Sequence, residues 1–99
     1  IDGIGHAMYG NLTFENGKPS SKNFDSYRLI RMKEAPQVEV HFIENDIAPT
    51  GLGEPTLPPA GAALANAFKA ATGNRFTKQP FANQPEMFKV KPKVQEIIG

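Results

Sequence analysis

Apolar positions along this chain follow a helical period at each end of its first three-quarters and an alternating period between, interrupted by one aperiodic stretch. Ile1, Ile4, Ala7 and Met8 recur at three- and four-residue spacing, which predicts a short opening helix stopped by Gly10. Gly3 and Gly5 lie inside it, and each weakens it by roughly 1 kcal/mol relative to Ala. Leu12 and Phe14 alternate with polar neighbours and lead to Asn16-Gly17, a pair that accepts the positive φ of a tight turn. A hairpin is expected over residues 11–24. Residues 37–43 give the clearest strand, with Val38, Val40 and Phe42 on a face expected to meet a core and Glu39 and His41 on the other.

Both periods vanish over residues 44–57, which are rich in Asn, Asp, Pro and Gly and read as a functional loop. Pro58 and Pro59 suit a first helical turn, where a missing amide hydrogen costs nothing, and Gly73-Asn74 suits the exit. Between them Ala60, Ala63, Leu64, Ala67, Phe68 and Ala71 mark one buried stripe, while Ala62, Ala65 and Ala70 on its flanks allow close approach of neighbouring layers. From Pro80 onward, prolines at 80, 85 and 92 predict an irregular tail over the surface with a short strand near residues 88–90. The expected fold class is α+β: a small, mainly antiparallel sheet packed against one long and one short helix. Residues 1–83 are expected to form the domain and residues 84–99 its irregular tail.

A chain of 99 residues is at most one small domain, burying about 60–70% of its unfolded surface. Eleven basic against ten acidic residues leave a net charge of +1, which gives no electrostatic footprint for a phosphate backbone, so nucleic acid is not an expected partner. No apolar run approaches the roughly 20 residues of a spanning helix. Without cysteine there are no disulfides or thiolate metal sites among these residues. The chain opens with Ile1 already inside a helical pattern, so it is expected to be a piece of a longer polypeptide.

The candidate chemistry lies in Gly51-Leu52-Gly53-Glu54-Pro55. Two glycines remove side-chain bulk and permit positive φ, and Pro55 holds Glu54 toward an extended backbone, so the carboxylate is aimed past a thin strip of main chain. That suits a base held against a large cofactor. With the residues that follow, from Thr50 through Pro58-Pro59 to Ala63-Leu-Ala-Asn-Ala67 and Ala71-Thr-Gly-Asn-Arg75, this stretch resembles the C-terminal region of the molybdenum-binding subunit of the xanthine dehydrogenase and aldehyde oxidase family. The branch it looks most like is the beta subunit of isoquinoline 1-oxidoreductase, a bacterial molybdopterin hydroxylase. Ile1-Asp-Gly-Ile-Gly-His-Ala-Met-Tyr-Gly10 looks like the family's Gly-rich helix, and residues 23–28 and 35–41 look like the stretch before the motif.

The resemblance implies a catalytic base at Glu54 and main-chain positions nearest the cofactor at Leu52 and Gly53. It implies an oxidoreductase that hydroxylates N-heterocycles or aldehydes with oxygen from water, molybdopterin in the full-length protein but none in these residues alone, and inactivity in isolation. Implied partners are the remainder of the subunit, a subunit carrying iron-sulfur clusters and a small-molecule substrate. The implied setting is soluble, periplasmic in preference to cytoplasmic. Two departures narrow this. The family's cofactor-contacting glutamine lies upstream of the first helix, outside this chain, and Thr50 stands where many relatives carry lysine.

Plainer readings accompany each residue. An acid ahead of a helix start gains about 0.3–1 kcal/mol from the helix dipole, and Gly51 serves a turn as readily as a cofactor. Gly51-x-Gly53 lacks the third glycine of a dinucleotide fingerprint, since Thr56 occupies that place. His6 and His41 have no partner at metal-ligand spacing, so no metal site is expected. Ser20, Ser21 and Ser26 lack a nucleophile elbow. Tyr27 and Arg28 are expected in packing and a surface ion pair. Asn11-Leu12-Thr13 fits the glycosylation pattern, which arises often by chance. Lys89, Lys91 and Lys93, interleaved with Phe88, Val90 and Val94, read as a lysine-protected strand edge. A freestanding, non-catalytic interaction or scaffold domain is the alternative function, with the acidic loop as a mere helix entry.

Overall fold

The computed structural model describes residues 1–91. Two helices carry the architecture, α1 over Asp2–Tyr9 and α2 over Ala60–Thr72, together with an antiparallel ribbon of β1 (Phe14–Glu15) and β2 (Lys18–Pro19) and three short 3₁₀ turns. This is the expected α+β class, with one long helix, one short helix and an antiparallel pair. The hairpin forms at the expected place because Asn16 (φ 51°) and Gly17 (φ 76°) adopt the left-handed conformations of a two-residue turn. Its four strand residues are exposed, so the helices pack on each other and on the C-terminal turns instead of on the ribbon.

Gly73 ends α2 in the left-handed conformation (φ 80°), its N–H donating to the Lys69 carbonyl at 2.9 Å. Pro59 is the N-cap, so the helix begins one to two residues later than the proline pair predicts. The buried face is also rotated from the expected stripe. Ala63, Ala67 and Ala71 are exposed, whereas Gly61, Leu64, Ala65, Phe68 and Thr72 turn inward. Alanine lines most of the circumference, so hydrophobicity alone cannot choose a face; the aromatic rings opposite choose it.

Those rings form the core. Phe68 from α2 meets Phe76 and Phe88 at centroid distances of 4.9 Å, and Phe76 meets Phe81 at 5.4 Å edge to face. Phe81 is 2% exposed, and Ala7, Met8, Leu64, Ala65 and Met87 close around the cluster. Residues 80–88 therefore do not run irregularly over the surface: 3₁₀ turns at Phe81–Asn83 and Pro85–Phe88 bury Phe81 and half-bury Phe88 against the cluster, while the expected tail over residues 92–99 lies outside the described residues. Phe88 lies in a turn, not in the expected strand, and the part of the lysine-edge reading that falls on residues 92–94 lies outside the described residues.

Gly3 and Gly5 have a packing reason that propensity hides. A Cβ on Gly3 would stand 2.6 Å from the Ala60 Cβ, and one on Gly5 would stand 2.7 Å from the Ile30 Cγ2. Bare backbone at these two positions lets α1 lie directly on the start of α2 and on Ile30.

The strand expected over residues 37–43 is absent. These residues run without turn or bend and are exposed throughout. A strand needs a neighbouring edge to take its N–H and C=O groups, and the ribbon of two-residue strands offers none to this segment. The result is an extended molecule with a radius of gyration of 17.8 Å.

Candidate functional site

Two consecutive turns join the loop to α2. The Leu57 N–H donates to the Glu54 carbonyl at 2.9 Å, and the Ala60 N–H donates to the Leu57 carbonyl at 3.2 Å. Pro55 and Pro58 each occupy the second position of their turn, where a fixed φ favours the bend. Glu54 thus stands two turns ahead of α2. The helix has no acid in its first turn and no side-chain bond at its cap, so Glu54 does not cap it.

The carboxylate is displayed on the surface. Glu54 is exposed and, among the described residues, takes part in no ion pair. Leu52 beside it is 73% exposed. Gly51 adopts φ 147°, a conformation that residues with side chains rarely take, which gives that glycine a local backbone reason. Gly53 differs. Its φ is not positive, and a Cβ there would meet nothing within 4 Å, so neither backbone nor packing within these residues demands glycine.

A hollow of about 780 Å³ runs along the loop, lined by residues 41–45 and 47–52. Leu52 and Gly51 contribute to its wall, while Gly53 and Glu54 stand beyond it. The three motif residues singled out from sequence are consecutive and exposed, but no other titratable side chain joins them in an ion pair among the described residues. Each histidine lies near an acid a few residues before it: His6 is 3.8 Å from Asp2 and His41 is 3.8 Å from Glu39.

A second polar cluster supports the scaffold from the far end of α1. Glu34 pairs with Arg28 and accepts the Arg31 N–H at 3.0 Å. The Arg28 guanidinium lies 3.9 Å over the Tyr9 ring and donates to the Leu29 carbonyl at 2.7 Å. Hydrogen bonds from Arg28 and then Tyr9 hold the Glu34 carboxyl down to about 2 from its ordinary 4.5. The ion pair expected of Arg28 is present. Its acidic partner and the Tyr9 stacking were not signalled in the sequence, because they join residues from different segments.

Comparison with known proteins places the chain. It is 31% identical over 78 residues to a membrane-bound aldehyde dehydrogenase [pyrroloquinoline-quinone] of Gluconacetobacter polyoxogenes, covering 79% of this chain and 10% of that protein. Against the isoquinoline 1-oxidoreductase subunit beta of Brevundimonas diminuta, identity is 32% over 80 residues, covering 81% and 10%. Against a putative xanthine dehydrogenase molybdenum-binding subunit of Escherichia coli, it is 33% over 78 residues, covering 72% and 10%. No protein-family profile and no solved structure matches the chain. The chain spans about a tenth of the length of these relatives. By this shared sequence, the chain belongs to the family of molybdenum-binding subunits of the xanthine dehydrogenase, aldehyde oxidase and isoquinoline 1-oxidoreductase type.

Proposed function

We propose that these residues form part of a molybdenum hydroxylase acting on N-heterocycles or aldehydes, in which Glu54 is the catalytic base. One observation supports it most: an acid in no ion pair among the described residues stands on an open turn beside Gly53, whose missing side chain answers to nothing among the same residues. A glycine with no internal reason fits a neighbour that approaches from outside. Molybdopterin fits that description, with the Leu52 and Gly53 main chain as the wall against it, and when bound it supplies a metal that activates a water-derived oxygen and takes up the electron pair.

The chain's own part is proton handling. The Glu54 side chain accepts a proton at Oε1 or Oε2 as the attacking oxygen engages the substrate carbon. Successive turns fix the main chain on its C-terminal side. Iron-sulfur centres on a partner subunit carry the electrons away, and the substrate pocket is built from the remainder of the subunit.

The test uses the native molybdenum-containing protein. Glu54→Gln keeps the shape and removes the base, so turnover is expected to fall by about 100- to 10,000-fold with molybdenum content unchanged. Unchanged turnover would remove Glu54 from the mechanism. Because one relative's name carries pyrroloquinoline quinone, metal analysis is paired with analysis for the quinone; quinone without molybdenum would overturn the cofactor assignment. Residues 1–99 expressed alone are expected to bind no molybdenum and to turn over no substrate.

A further inference from the structure

We infer that residues 37–43 are a β-strand awaiting its sheet, and that they add edge to edge onto a β-sheet carried by the remainder of the molybdenum-binding subunit. The sheet's owner rests on the function proposed above; the strand itself rests on geometry. Val38, Val40 and Phe42 are 58%, 63% and 70% exposed. Glu39 and His41 approach to 3.8 Å, as side chains two apart do when they share one face of an extended chain. Glu39 and His41 thus share one face, and the three apolar side chains that alternate with them have nothing burying them among the described residues.

Its backbone is equally unpartnered. Among the described residues, no backbone–backbone hydrogen bond involves residues 36–53. Loop segments tolerate this when polar, but an alternating apolar run does not read as a loop. Pro36 sits at the one place in a strand where a missing N–H is harmless, its start. Groups of this kind are satisfied together by an edge strand, which pairs the main chain and offers an apolar layer for every second side chain. The ribbon at residues 14–15 and 18–19 is too short to provide it. A subunit of which the matched residues make up only 10%, as in the relatives, has room for that sheet.

Amide hydrogen exchange on the native polypeptide, in the complex in which it purifies, decides the point. At least every second amide of residues 37–43 is expected to exchange about 100-fold or more slowly than in an unstructured peptide. Val40→Asp is expected to return the segment to unprotected rates, while the amides of α2 stay slow as the internal control for folding. Unprotected exchange in the unsubstituted, molybdenum-loaded protein would overturn the inference and leave the enzyme reading intact. Protection in a protein holding no molybdenum would support the strand and count against the enzyme. Protection that appears only as the chain self-associates, followed by sedimentation, would overturn it in favour of a second copy.

Discussion

Glu34 shows what a single side chain can stabilise here. Its carboxyl is held at about 2 by Arg28 and Tyr9, below the ordinary 4.5. A depressed carboxylate contributes stability that is complete above the unfolded value and lost as pH falls through the folded one. The melting temperature is therefore expected to decline between about pH 4.5 and about pH 2, more steeply than in Glu34→Gln. Thermal melts across that window check this; parallel curves for the two proteins would dissociate Glu34 from acid stability. Glu54 presents the opposite case, exposed and in no ion pair among the described residues, so its substitution is expected to change stability by no more than about 0.5 kcal/mol, as at other surface positions.

At the scale of elements, α1 and α2 meet through glycine. Gly3→Ala and Gly5→Ala raise helix propensity by up to about 1 kcal/mol, yet each places a Cβ under 3 Å from a neighbour. Overpacking costs about 1–3 kcal/mol and outweighs the gain, so urea unfolding is expected to show both variants destabilised. Stabilised variants would show that the helices separate freely. Local signals made much of this legible beforehand: Asn16-Gly17 requires a tight turn wherever it sits, and Gly73 ends α2 by its own backbone freedom. The position of Glu54 ahead of the helix was legible for the same reason, since prolines and glycines act on their immediate neighbours. The helix face, the aromatic cluster and the Arg28–Glu34–Tyr9 network were not, because each depends on which distant segment arrives opposite.

For the whole molecule, the decisive quantity is how much of the chain has nothing to pack against. A compact protein of this length has a radius of gyration of about 13 Å, against 17.8 Å here. Small-angle scattering from the isolated chain is expected to give the larger value, and collapse to the smaller one would mean that residues 37–57 fold back on the core. The clearest failure of the sequence reading belongs at this scale. Alternation over residues 37–43 put Glu39 and His41 on one face, where they stand 3.8 Å apart, but the core expected against Val38, Val40 and Phe42 is missing, because a strand needs a second edge to pair with and none reaches it among the described residues.

The Asn74 side chain clasps two carbonyls, Met87 at 2.8 Å and Lys89 at 2.9 Å, just after Thr72 has bonded back to Phe68. One carboxamide thereby ties the exit of α2 to the last aromatic turn. A stop codon after residue 83 would leave that donor pair idle and strip Phe88 from Phe68 and Phe76, opening the interior to water. Shortened versions meant to isolate the acidic loop for study consequently have to keep the sequence through Lys89, or they will report on a damaged scaffold.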